Sequence, residues 1–235
     1  MITLYSGGPM FGIPDSSPFC MKAEMLLKIA KLPYERKFGD VRKGPKGKIP
    51  WIDDGGALVP DSTLIRFHLE QKHGADFSGG YDKQTLGAGW AVEKFCEDHL
   101  YWLIVRSRWM DDVNFDKGPR LFFQGVPAPL RGIVIAMIRR RVKKSLHAQG
   151  LGRHTDAEIK QLTARSVAAL SDFLGDKAYA LGPRVSGADA TMFATAAGLL
   201  CRHFETPERA EAERYPNLAA YNQRMLREFY PALAG

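Results

Sequence analysis

A chain of 235 residues, 45% hydrophobic and 25% charged, carries 33 basic against 26 acidic side chains for a net charge of +7. That length buries a sizeable core, as one large domain or two small ones, and the ordinary composition points to a folded soluble protein. Its longest apolar runs, Leu100 to Val105 and Ile133 to Ile138, fall far short of the roughly 20 residues that span a bilayer, which excludes a membrane-spanning helix.

Met1 leads at once into Ile2-Thr3-Leu4-Tyr5, short, apolar and strand-prone, with no basic and apolar leader of the secretory kind. Ser6 to Pro14 then reads as a long loop rich in glycine and proline. From Ser17, the residues Phe19, Ala23, Leu26, Leu27 and Ala30 recur at helical spacing with Lys22, Glu24 and Lys28 on the other side, which predicts a helix with one buried face. Pro33 ends it, and Tyr34 to Phe38 predicts a half-buried strand with both aromatics on one face. A basic loop from Arg42 to Lys48 enters Ile49-Pro50-Trp51-Ile52; Asp53-Asp54-Gly55-Gly56 turns the chain into Ala57-Leu58-Val59, a β-hairpin pattern. Asp61-Ser62 caps a further helix through Leu64, Ile65, His68 and Leu69 to about Lys72. The order β-α-β, then β-β-α, is the thioredoxin arrangement. After Ser78-Gly79-Gly80 strand patterning disappears and helical spacing continues to the end, so an all-helical region follows the small α/β one.

Two compositional features bear on function. Cys20, Cys96 and Cys201 are widely spaced and form neither a C-x-x-C pair nor a metal-ligand cluster with the six histidines, so no metal is expected and a reduced, cytoplasmic setting fits best. Arg131, Arg139, Arg140, Arg141, Lys143, Lys144 and Arg153 form a run with no acidic residue among them, and the rest of the chain is electrically balanced. In the same stretch Leu130, Ile133, Val134, Met137, Ile138, Val142 and Leu146 fall on one helical stripe. A basic amphipathic helix suits an anionic membrane surface or a partner; a bundle helix with a charged outer face is the preferred reading. No nucleic-acid module is present, and DNA or RNA is not an expected partner.

In their order and spacing, Ser17-Pro18-Phe19-Cys20, Gly47-Lys48-Ile49-Pro50 and Asp61-Ser62 resemble the glutathione site of a cytosolic glutathione transferase, and the likeness runs from Met1 to the C-terminus. Within that superfamily, Pro45 to Pro50, Asp61-Ser62-Thr63, Gln149 to His154, Leu181-Gly182 and Ser186-Gly187-Ala188-Asp189 are similar to the branch that includes metaxins and failed-axon-connections proteins. The resemblance implies a thioredoxin-like glutathione-binding domain over residues 1–76 and an all-α helical bundle domain over residues 83–235. It also implies glutathione as co-substrate, a small hydrophobic electrophile as acceptor, a homodimer and a role in detoxification.

The resemblance assigns roles residue by residue. Ser17 stands where thioredoxin-like families carry the reactive group; its hydroxyl, at the positive end of a helix dipole, would favour the thiolate of bound glutathione. Taken alone Ser17 reads as an N-cap; the other two motifs tip the balance to thiol activation, with Ser16 and Tyr5 as fallback hydroxyls. Cys20, one turn in, reads as buried and inert. Pro50 falls where the superfamily has a cis-proline, which orients the Ile49 backbone to pair with the cysteinyl unit. Lys48 would pair with the glycine carboxylate, Asp61 with the α-ammonium and Ser62 with the γ-glutamyl carboxylate. Met10, Phe11, Tyr101, Trp102, Arg106 and Trp109 are candidates for the second-substrate pocket, Arg106 for an anionic or polar acceptor. Ser186 to Asp189 matches a capping box, and there the structural reading wins. Two rivals stand beside the transferase: a non-catalytic metaxin-like scaffold, which has no need of Ser17, Lys48, Asp61 and Ser62 together, and a glutathione-dependent reductase or peroxidase, which would place cysteine at position 17.

Overall fold

The computed structural model describes residues 1–234. Strand β1 (Ile2–Ser6) alternates buried and half-buried side chains and lies centrally, parallel to β2 (Tyr34–Phe38) and antiparallel to β3 (Trp51–Asp54), which pairs with β4 (Ala57–Pro60). The order is β2-β1-β3-β4. Tyr5 lies opposite Trp51 and Trp51 opposite Pro60, so the end of β1, the start of β3 and the end of β4 share one edge of the sheet. Helices α1 (Pro18–Ile29) and α2 (Ser62–His73) are entered from loops at this edge. Among the described residues eight further α-helices follow: α3 (Lys83–Phe95), α4 (Tyr101–Met110), α5 (Asp112–Lys117), α6 (Ala128–Gln149), α7 (Asp156–Leu174), α8 (Gly187–Leu199), α9 (Pro207–Ala212) and α10 (Pro216–Phe229). The chain is thus a thioredoxin-like α/β unit followed by a helical bundle.

Between α3 and α4, Cys96–Leu100 forms a single π-helical turn, so the two helices are one rod with a slip of phase. The slip turns Leu100 into the core and sets His99 Nε2 at 2.8 Å from Ser166 Oγ on α7.

Three features depart from the sequence pattern. Helix α1 is buried nearly all round, because α2 and α8 cover the side expected to meet water. Lys22, 1% exposed, places Nζ 2.5 Å from Glu97 Oε1, 3.3 Å from Glu93 Oε2 and 3.1 Å from Thr63 Oγ1. Glu24 accepts hydrogen bonds from Tyr34 Oη at 2.7 Å, Arg36 Nη1 at 3.2 Å and Tyr230 Oη at 3.4 Å. Secondly, β2 is an edge strand whose Phe38 is 81% exposed rather than half-buried. Thirdly, the apolar stripe of α6 is wider than its contact with the bundle. Ile135 and Leu146 are buried, while Leu130, Ile133 and Met137 are 54, 69 and 60% exposed. The N-terminal half of α6 meets a satellite cluster of Phe115, Phe123 and Trp109.

Removing the Lys22 charge leaves the buried Glu93 and Glu97 with only Arg66 and Lys94 to balance them, so Lys22→Met should destabilise the protein by about 3 kcal/mol in denaturant titration. On α6, Ile135→Ala should cost roughly 2–5 kcal/mol, whereas Ile133→Lys should stay within about 0.5 kcal/mol of the parent; equal costs would contradict the described packing.

Candidate active site

The loop after β1 returns to start α1 through one buried carboxylate. Asp15, 1% exposed, accepts hydrogen bonds from the backbone N–H of Gly8 at 2.7 Å and of Ser17 at 2.9 Å. Burial pushes its carboxyl up to about 6, outweighing the two amide donors that favour ionisation. Ser17 is therefore fixed in extended backbone, φ −99° and ψ 120°, as the N-cap of α1; Oγ accepts from Cys20 N–H at 3.4 Å and Pro18 opens the helix. That bond uses a lone pair of the half-buried hydroxyl and leaves its proton free to be donated. Cys20 is buried, and burial, together with the charge of Asp15, raises its thiol so that it stays protonated.

The second and third motifs meet through the backbone. The Ile49–Pro50 peptide bond is cis, and Pro50 C=O accepts from Asp61 N–H at 3.2 Å. Asp61 has φ 73°, a region that L-residues enter only when the surroundings impose it, at a cost of roughly 1–3 kcal/mol. Its Oδ1 accepts from the N–H groups of Thr63 at 2.9 Å and Leu64 at 3.4 Å, so it caps α2, and Ser62 lies buried at the first position of that helix. Lys48 is exposed and Ile49 half-buried. Tyr5, the fallback hydroxyl, stacks on Trp51 with ring centroids 4.6 Å apart.

The candidate acceptor residues divide. Phe11 sits at the centre of an aromatic group, 4.6 Å from the His203 ring, 5.1 Å from Phe204 and 6.3 Å from Phe122. Trp109 joins through Phe122, at 6.4 Å. Cys201 Sγ, 3.5 Å from Phe11 C=O, ties this loop to the helical region. Met10 is exposed beside Phe11 and bridges to Ile13. Tyr101 meets Phe19 edge-on at 4.9 Å and Trp102 at 5.4 Å, next to the start of α1. Arg106 is drawn aside, its Nη2 2.6 Å from Asp156 Oδ1 on α7. Sequence reading missed Asp15, Phe122, His203 and Phe204. The Asp-x-Ser spacing of an Asx-turn was the signal for Asp15; nothing local marks a contact between Phe11 and residues 190 positions away. A cavity of about 280 Å³ lies elsewhere, between α2, α3 and the loop at Phe77, and touches neither Ser17 nor Asp61.

Residues 18–114 match the family described as glutathione S-transferase N-terminal domain, and residues 163–225 its C-terminal domain. The isoprene-epoxide–glutathione S-transferase of Rhodococcus sp. (strain AD45) is 32% identical over 97% of this chain and 99% of its own length. The chain belongs to the glutathione transferase family. Failed axon connections of Drosophila melanogaster is 27% identical to this chain over 93% of its length and 56% of the fly protein, in keeping with the failed-axon-connections-like branch. Among solved structures, the β-etherase LigF from Sphingobium sp. strain SYK-6 shares the fold, with a TM-score of 0.70 at 20% identity over 98% of this chain and 99% of the etherase.

A carboxyl raised to about 6 in the folded transferase, against 3.8 in an open chain, favours folding while protonated, and this contribution is lost as pH rises through that window. The expected cost of ionising Asp15 is on the order of 3 kcal/mol. Unfolding free energy measured between pH 4 and pH 6.5 should fall more steeply for the parent than for Asp15→Asn; parallel curves would refute the assignment.

Proposed function

We propose that this transferase activates the thiol of glutathione through Ser17 and directs it at a hydrophobic electrophile. Residues 1–76 hold the tripeptide: Ile49 pairs with the cysteinyl unit beside Pro50, Lys48 meets the glycine carboxylate, Asp61 the α-ammonium, and Ser62 at the start of α2 the γ-glutamyl carboxylate. Residues 83–235 supply most of the acceptor pocket, where Phe11, Tyr101 and Trp109, with Met10 and Trp102 alongside, offer apolar surface; Arg106 is held by Asp156 and takes the smallest part. The observation that carries the reading is the half-buried Ser17 hydroxyl at the positive end of α1, on a backbone held by Asp15.

The chemistry asks little more of the chain. Ser17 donates its hydrogen bond to the glutathione sulfur and, with the α1 dipole, lowers the thiol pKa; each pKa unit is worth about 1.4 kcal/mol. The thiolate attacks an electrophilic carbon, a sulfur–carbon bond forms, and the electron pair of the broken bond leaves with the displaced atom. With an epoxide, the chemistry in the name of the Rhodococcus relative, that atom is the ring oxygen, which takes a proton from solvent. No metal is required for this step. The buried, protonated Cys20 offers no support to a reductase or peroxidase, and the complete set of Ser17, Lys48, Asp61 and Ser62 speaks against a pure scaffold. A cytoplasmic homodimer engaged in detoxification completes the proposal, on the strength of the family.

Retention on immobilised glutathione should be strong for the parent and lost in Ser62→Ala. With a small epoxide as acceptor, Ser17→Ala should lower kcat at least about tenfold at neutral pH, the loss shrinking as pH rises toward the free thiol value near 8.5. Unchanged turnover would remove Ser17 from the mechanism.

A further inference from the structure

At the opposite end of α2 from Asp61, three ligand-type side chains converge. Asp54, at the end of β3, has Oδ2 at 2.8 Å from His68 Nε2 and 2.7 Å from His73 Nε2, and the potential ligand atoms of all three residues lie within 4.8 Å of one another. The side chains are only 8, 18 and 25% exposed. Lys72 also reaches the carboxylate, with Nζ 2.9 Å from the same oxygen and 2.8 Å from Asp54 C=O. Three nitrogens therefore crowd one carboxylate oxygen, more than its two lone pairs serve well. Two imidazole nitrogens and one carboxylate oxygen are the donor set of zinc-type ions, whose remaining positions water fills. Helix geometry alone does not align residues five apart; these two histidines meet because α2 ends there, with Gly74 in left-handed backbone at φ 62°.

We propose that Asp54, His68 and His73 bind a divalent transition-metal ion of the zinc type, and that Lys72, 44% exposed on a flexible stem, swings out when the ion enters. An ion there clamps the C-terminal end of α2 to the β3–β4 hairpin. Along α2 His68 lies six residues beyond Ser62 and His73 eleven, about 9 and 17 Å at 1.5 Å per residue, so the ion's role is structural and does not depend on the glutathione reading.

The test uses untagged protein stripped with a chelator, titrated with zinc sulfate in a calorimeter and melted with and without the metal. Expected are one zinc per chain in the micromolar range, a metal-dependent rise in Tm, and no response to magnesium, a hard cation that prefers oxygen ligands. His68→Gln and His73→Gln should each weaken binding at least tenfold. Lys72→Met, which keeps every ligand and removes the competing ammonium, should tighten it about threefold or more. Absence of zinc binding at 100 µM, equal affinity in the double variant His68→Gln/His73→Gln, or weaker binding in Lys72→Met overturns the proposal; glutathione retention by the stripped protein reports separately on the transferase site.

Discussion

The Lys22 ammonium holds the two halves of this chain in register. It leaves α1, in the sheet unit, and ends between Glu93 on α3 and Glu97 on the π turn, with Thr63 of α2 beside it. Arg66 of α2 takes the other oxygen of Glu93 at 2.8 Å, and Thr191 of α8 approaches both glutamates. Lys22, Arg66, Glu93 and Glu97 thus meet in a site nearly closed to water, with Lys94 at its rim on the other oxygen of Glu97. Burying four charges costs several kcal/mol per ion before their mutual attraction offsets it, so the network adds little net stability. What it fixes is position: only one docking of the helical region satisfies every member, and that docking determines which helical residues face the start of α1.

Strained and costly groups gather at the sheet edge where α1 and α2 begin. Asp61 holds positive φ, and the ionised Asp15 carboxylate is disfavoured by burial. Both carboxylates accept hydrogen bonds from backbone N–H groups at the entrances to α1 and α2 and so fix how each helix begins. These costs are offset by the α8 core around Phe193, Met192 and Tyr221.

Local signals carried much of the fold in the sequence. Ser17 and Asp61 cap their helices as read, Gly56 N–H closes the hairpin turn onto Asp53 Oδ1 at 2.8 Å, and Ser186 N–H and Oγ both donate to Asp189 Oδ2, at 2.8 and 3.1 Å. These interactions span two to four residues, within reach of pattern reading. Lys22 and Glu24 were illegible because their partners lie far along the chain, Tyr230 being 206 positions from Glu24. Leu130, Ile133 and Met137 misled for a different reason: periodicity reports that a helix has an apolar side, not how much of that side a neighbour covers. Within the candidate site, the three motifs were readable as short strings, whereas the aromatic group around Phe11 comes from loops that meet only in the folded chain.

The π turn at Cys96–Leu100 carries one residue more than a regular helix would use over the same rise. Every side chain from Tyr101 to Met110 therefore points about 100° away from where an uninterrupted helix would aim it, and Arg108 reaches Gly198 C=O at 2.7 Å, its guanidinium 4.3 Å from the Phe204 ring, because of that offset. A relative lacking the extra residue would turn other groups toward Phe19, so side chains on α4 cannot be equated across this point by matching letters. The surface that faces the start of α1 can thus be remade with no substitution on it, by the gain or loss of a single backbone unit upstream.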